Sequence, residues 1–325
     1  MSKSPNTRRI GAMVLMLALA GCPVGADVTR DARAPSGDGV VDRGIVGADA
    51  PRAGDSDSAA PTGDGATPQP DATSPDKSAA PPATTNFAAA GPFKSASEAN
   101  VGPGNDFSVT YPTPLGQGGV KHPIITWGNG TGTPTFVYGA LLAHLATHGF
   151  VVVATNSVQT GSGKEMLDGV SWLISEASKP TSKYYGKLDA SAVCATGHSQ
   201  GGGGAVNAGN DARVKCTAPI QPSPGNAPGL KGPMFVIAGG KDTIVVPQLV
   251  EGLTYNPAKV PSVYGELIAA DHFTPIGNAG DEIRGYLTAW LRAQLYGEAG
   301  AKALFYGANC GICGDAKWRV KRKNL

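Results

Sequence analysis

The sequence predicts an α/β fold: a mainly parallel central sheet flanked by helices on both faces, with no lid domain. Two observations carry this. Short β-rich apolar runs alternate with segments of helical spacing between Phe107 and Tyr296. Runs such as FVVVATN, from Phe150 to Asn156, are apolar without a polar face, as strands covered on both sides are.

Taken in order, FSVTYP opens as a strand with period-two alternation, and HPIITWG is a β-rich run stopped by glycines. TFVYGALLAHLATHG has helical spacing, which puts Phe136, Ala140, Leu141 and Leu145 on one face, with Gly149 as its stop. FVVVATN follows as a buried strand. GKEMLDGVSWLISEAS is the next helix, with Met166, Val170, Leu173 and Ile174 as its apolar face. Strands SAVCATG, VKCTAPIQP, MFVIAGG and SVYGELIAA come next, and helix GDEIRGYLTAWLRAQLYG closes the pattern. Between VKCTAPI and MFVIAGG stands only a short Pro/Gly-rich connection, too small for a helical lid, so any site at the strand ends is an open cleft.

The first 85 residues read differently. Lys3, Arg8 and Arg9 precede the apolar run IGAMVLMLALA, which is shorter than a membrane span. With LAGC at Leu19–Cys22 this reads as a lipoprotein signal peptide over residues 1–21, with Cys22 as the lipidated residue. Residues 22–85 are rich in Ala, Pro, Gly and Asp, nearly lack large apolar side chains, and repeat APSGDG as APTGDG. Such a segment buries too little surface to offset its ordering entropy, so a disordered tether is expected, leaving 86–325 as the folded domain. The expected location is the cell envelope, bound to a membrane through the lipid on Cys22. A net charge of +2 with no basic stripe argues against nucleic acid as a partner. The basic tail KWRVKRKNL reads as a solvated terminus.

The chemistry gathers around GHSQGGGG. Gly197-His198-Ser199-Gln200-Gly201 fits G-x-S-x-G between a strand and helical material, the setting of a nucleophile elbow. The alternative is a glycine-rich loop whose serine caps a helix. A serine of this kind needs an acid and then a histidine later in the chain, each after a strand. Asp242 follows MFVIAGG and His272 follows SVYGELIAA, with Asp271 the weaker candidate acid. Ser199, Asp242 and His272 are therefore the candidate catalytic residues. The backbone N–H groups of Gln200 and Gly130 are the candidate oxyanion donors, Gly130 lying in the glycine-rich loop WGNGTG. His198, Asn129 and Thr131 are expected to line the substrate cleft. His144 and His148 stand one turn apart but lack the Glu of a zinc-binding H-E-x-x-H, so no metal and no cofactor is expected.

The runs GHSQGGGGAV, ITWGNGTGT, LAHLATHGFVVVATN, GGKDTIVVP and AADHF resemble those of the cutinase-like and PET-hydrolase-like polyester hydrolases, a branch of the α/β-hydrolase superfamily related to dienelactone hydrolases. The likeness covers about Phe87 to Tyr296. It implies a lidless α/β-hydrolase fold and cleavage of carboxylic esters through a Ser-His-Asp triad. Two departures matter: Gly130 stands where many polyesterases carry an aromatic, and Gln200 where methionine is usual. Both weaken an apolar clamp, which favours a general carboxylesterase over an aromatic polyesterase. A feruloyl-type esterase, an acyltransferase and a non-catalytic binding lipoprotein are the competing readings. A monomer is expected.

Of the five cysteines, Cys22 is assigned to lipidation, and the other four allow three pairings. Cys310-Gly-Ile-Cys313 has the spacing to close a small terminal loop as a disulfide. Cys194 and Cys216 fall on strands expected to be neighbours, as buried thiols or as a bridge.

Overall fold

The structure, a computed structural model, describes residues 79–325. The signal peptide, Cys22 and nearly all of the expected tether lie outside the described residues.

Nine strands form one sheet: β1 (Lys94–Val101), β2 (Phe107–Thr113), β3 (His122–Gly128), β4 (Val151–Thr155), β5 (Leu188–His198), β6 (Val214–Ile220), β7 (Met234–Gly239), β8 (Ser262–Leu267) and β9 (Trp318–Lys323). Their spatial order is β1-β2-β4-β3-β5-β6-β7-β8-β9. The six strands from β4 to β8 run parallel, while β1, β2 and β9 pair antiparallel at the two edges. The helices are α1 (Gly139–Thr147), α2 (Lys164–Ser178), α3 (Gln200–Ala208), α4 (Pro247–Val250), α5 (Ile283–Leu295) and α6 (Ala299–Lys302).

Alternate residues of the central strands feed different cores, which explains why those strands have no polar face. Ile125, Trp127 and Val152 pack with Leu141 and Leu145 of α1 and with Leu287 and Trp290 of α5. Ile124, Val151 and Val153 pack on the other face with Met166, Val170 and Leu173 of α2. The expected α2 face is the observed one, with Ile174 half-buried at its margin.

The face expected of α1 is corrected. Residues Thr135–Tyr138 form a 3-10 turn before the helix. Its tighter winding takes Phe136 out of phase, leaving it 81% exposed, and Tyr138 joins Leu141, Leu142 and Leu145 inside instead. Ala140 is also exposed.

The tail is not a solvated terminus. Residues Trp318–Lys323 pair with β8 along its whole length, from Leu267↔Trp318 to Ser262↔Lys323. Arg319 pairs with Glu266 and Lys321 with Glu251. The Lys323 ammonium caps the carbonyls of Tyr255, Asn256 and Ala258. Its charges make this an edge strand that resists pairing with another chain.

The expected tether boundary at residue 85 is corrected for its last residues. Ala79 bridges to Val120, Pro81 is buried, and the Thr84 N–H donates to Glu298. Arg292, 1% exposed on α5, holds this stretch. Its guanidinium donates to Glu298, to the His148 carbonyl and to the Pro82 carbonyl. A proline-rich segment with no apolar period shows nothing of this in sequence, because its bonds come from backbone carbonyls. His144 and His148, the helical pair, are likewise buried and bond the carbonyls of Phe87 and Ala89.

Among the described residues two disulfides are formed. Cys310–Cys313 closes the small loop its spacing suggests. Cys194 and Cys216 face each other in the β5/β6 register and are bridged within the core. Removing one partner of a buried charged cluster costs about 3 kcal/mol or more. Arg292→Leu is therefore expected to lower the urea-derived unfolding free energy by about that amount and to open residues 79–90 to limited proteolysis.

Candidate active site

The site is built where β3 and β5 end side by side. Ser199 follows β5 with φ +56° and ψ −119°, a sparsely populated conformation for a non-glycine residue that its surroundings must hold in place. A Cβ on Gly197 would collide with the carbonyls of Gly201 and Gly128, and one on Gly201 with the Gly128 carbonyl. The glycines therefore let β3, β5 and the first turn of α3 approach at backbone distance. The Ser199 N–H bonds the Ile220 carbonyl, and the Ser199 carbonyl accepts from Gly203 and Ser223, which locks the turn.

Ser199 Oγ lies 3.0 Å from His272 Nε2, and His272 Nδ1 lies 2.7 Å from Asp242 Oδ2. The other Asp242 oxygen accepts the N–H groups of Ile244 at 2.8 Å and Val245 at 2.9 Å. Burial opposes the charge on Asp242. The bonds from His272, Val245 and Ile244 outweigh that opposition and hold the carboxyl below its ordinary range. The three expected residues, from three separate loops, are thus brought into one hydrogen-bonded line. An ionised carboxylate at Nδ1 keeps the imidazole proton there and leaves Nε2 free to take the serine proton. Asp271 points away: its carboxylate accepts from the Phe273 N–H and the Thr274 hydroxyl.

Gln200 is the first residue of α3, so its N–H has no acceptor within the helix. Its side chain is tied sideways, accepting from the Thr160 N–H and donating to Gln159 Oε1. Gly130 is close to the nucleophile, but its N–H is not a free donor. It donates to Tyr138 Oη at 3.1 Å. Tyr138 carried no signal beyond its polar end in an apolar helix, a side chain that needs a partner once buried.

The expected cleft wall is corrected in two places. Asn129 is fully buried. Its side chain accepts from the Trp127 ring N–H and donates to Thr135 and to the carbonyls of Thr155 and Ser157, clamping the loop from within. A short amide beside a tight turn satisfies backbone carbonyls better than it could line a cleft. His198 is 2% exposed and lies under His272, ring centroids 4.7 Å apart, with Nδ1 2.9 Å from Tyr138 Oη. Thr131 is exposed on the loop after β3. Phe136, Val158, Ile244 and Phe273 are exposed apolar side chains on segments that follow the strands carrying the site. Among the described residues no group of three or more metal-ligating side chains gathers.

A mainly parallel sheet whose strand-to-helix elbow presents a serine to a His–Asp pair defines an α/β-hydrolase. The family model for PET hydrolase-like proteins matches residues 69–303, and the chain belongs to that family. It is 31% identical over 160 residues to Cutinase 2 of Thermobifida cellulosilytica, covering 46% of this chain and 59% of the cutinase. It is 30% identical over 159 residues to Cutinase est2 of Thermobifida alba, covering 46% of this chain and 51% of that one. A bis(hydroxyethyl) terephthalate hydrolase of Streptomyces coelicolor is 28% identical over 196 residues, covering 57% of this chain and 60% of its own. The chain thus spans about half to three fifths of the length of these curated relatives.

Burial, and then the neighbouring His272, push His198 down to about 3, whereas an unfolded histidine titrates near 6.5. Between those values the unfolded chain takes up a proton that the folded chain refuses. Stability present above pH 6.5 is therefore lost progressively as the pH falls towards 3. The loss from this one group approaches roughly 1.4 kcal/mol per pH unit. Urea midpoints of His198→Phe are expected to decline less steeply than those of the wild type between pH 6.5 and 4.

Proposed function

We propose that the chain is a serine hydrolase of carboxylic esters that works through an acyl-enzyme. The observation that carries the reading is the unbroken line from Ser199 Oγ through His272 to Asp242. In this reading His272 Nε2 takes the Ser199 proton as Oγ adds to the ester carbonyl. Asp242 stabilises the imidazolium that results. The tetrahedral oxygen is met by the Gln200 N–H and by the Gly130 amide beside it. Collapse breaks the C–O bond, His272 gives its proton to the departing alcohol, and water repeats the sequence to free the acid.

Esters presented on a surface or a polymer, polyesters included, are the proposed substrate class. The support is the exposed apolar side chains of Phe136, Val158, Ile244 and Phe273 on the site's loops, with no helical lid among the described residues, together with relatives named as cutinases and as a bis(hydroxyethyl) terephthalate hydrolase. Gly130 and Gln200 in place of larger apolar groups favour breadth over a tight aromatic clamp.

Wild-type protein is expected to hydrolyse p-nitrophenyl butyrate and to be labelled by a fluorophosphonate. Ser199→Ala should lose both, and retained turnover in that variant would sink the reading. Asp242→Asn leaves the serine in place but loses about 10⁴-fold in kcat, as the imidazole adopts the wrong tautomer. Release of soluble acid from an amorphous polyester film tests the wider substrate class.

The reading also holds Cys22 as the site of lipid attachment and the cell envelope as the location, on the pattern Leu19–Cys22 alone. Expressed in a bacterium fed labelled palmitate, the full chain should take up label and partition with membranes. Cys22→Ser should do neither.

A further inference from the structure

The triad does not use the buried polar chain beneath it. The Gly130 N–H donates to Tyr138 Oη at 3.1 Å, and Tyr138 Oη lies 2.9 Å from His198 Nδ1. Tyr138 Oη already accepts the Gly130 N–H, so its own proton is directed at His198 Nδ1, and burial keeps that imidazole neutral and able to accept it. On the other side of the imidazole, Gln221 Nε2 donates to the Asp271 carbonyl at 2.6 Å. Both donors of the Gly130–Tyr138–His198 chain then point one way, from the loop after β3 to His198. Aligned links of this kind polarise one another.

The end of the chain that bears on chemistry is Gly130. A Cβ there would lie 2.9 Å from Tyr138 Oη, 3.4 Å from His198 Nδ1 and 3.6 Å from Ser199 Cβ. Only the first is closer than a Cβ ordinarily comes, and together they place the Gly130 backbone beside the nucleophile. A glycine peptide is also the least constrained in its own orientation. Something else must hold it.

We propose that Tyr138 is a positioning residue for the oxyanion site, its hydroxyl, backed by His198, fixing the Gly130 amide next to Ser199. The inference rests on the reading of Ser199 as nucleophile. A bond to a charged oxygen is roughly twice as strong as one to a neutral hydroxyl. The developing oxyanion therefore draws or shares the Gly130 N–H, whereas the neutral ester carbonyl does not displace Tyr138. The contribution falls on the transition state, and so on kcat more than on KM.

Tyr138→Phe keeps the ring against Trp127, whose centroid lies 5.0 Å away, and removes only the oxygen. With p-nitrophenyl butyrate, kcat is expected to fall about tenfold or more, while KM stays within about twofold. The inhibition constant of an alkyl boronic acid, whose tetrahedral adduct copies the oxyanion, should rise by a similar factor. His198→Phe cuts the next link and should move both quantities the same way, with the double variant no slower than the slower single one. Wild-type kcat in Tyr138→Phe overturns the proposal. So does a lower kcat with unchanged boronate affinity, or losses that multiply in the double variant. If the wild type neither hydrolyses the ester nor binds the boronate, the nucleophile reading fails and the inference falls with it. If it does both and Tyr138→Phe matches it, the inference alone fails.

Discussion

The structure depends on one close approach of three backbones. At Gly128, Gly197 and Gly201 the end of β3, the end of β5 and the first turn of α3 meet where no side chain fits. This contact turns Ser199 up out of the sheet with its positive φ, and it sets β3 so that the next residues become the loop beside the nucleophile. It also explains why a four-glycine run survives inside a helix despite its poor propensity, at about 1 kcal/mol per residue against alanine. Gly203 and Gly204 repeat the device against Ser223 and the Thr160 carbonyl. The helix is held by what it touches on each side, and its local preference counts for little.

On that frame, environment divides the labour between two adjacent histidines. His272 has a carboxylate on one nitrogen and a serine hydroxyl on the other, the arrangement the proposed proton transfer uses. His198, one ring away, has a phenol, an amide side chain and His272 itself as neighbours, and burial keeps it neutral. Two residues of the same type, packed together, are thereby separated into a group that can cycle its proton and one that keeps it. A second charge under His272 would oppose the imidazolium the proposed reaction needs, so the neutrality of His198 serves the neighbouring site as well as its own burial.

How much was legible in the sequence follows from where each signal resides. The parallel strands could be read because burial on both faces leaves uninterrupted apolar runs. Ser199, Asp242 and His272 could be read because the elbow needs particular residues and the acid and base must follow strands in order. The edge strands were harder. Lys94–Val101 has no apolar alternation to mark it. Trp318–Lys323 hides a strand under charges whose partners, Glu266 and Glu251, lie far away in sequence. Asn129 and His198, expected to line the cleft, are buried beneath it. Exposure at a loop depends on which backbone carbonyls are left to satisfy, and periodicity carries no information about that. Phe136 is exposed and Tyr138 buried for the same kind of reason, one turn of 3-10 winding before the helix.

Long-range ties between strand ends hold the site's parts in register. The Cys194–Cys216 bridge joins β5 and β6, the strands that lead to Ser199 and to Gln221. Gln221 in turn bonds the Asp271 carbonyl, and so binds the end of β6 to the loop of His272. Asn129 ties the other side, from the end of β3 to the end of β4. The nucleophile, the base and the loop of Gly130 therefore stand on separate strands whose ends are cross-connected beneath the surface. Among the described residues no helical lid stands between β6 and β7, so the geometry that the proposed reaction uses is already present in the resting protein. The buried polar ties under Ser199 are what supply it, and the exposed apolar side chains on the neighbouring loops are not required to order the site.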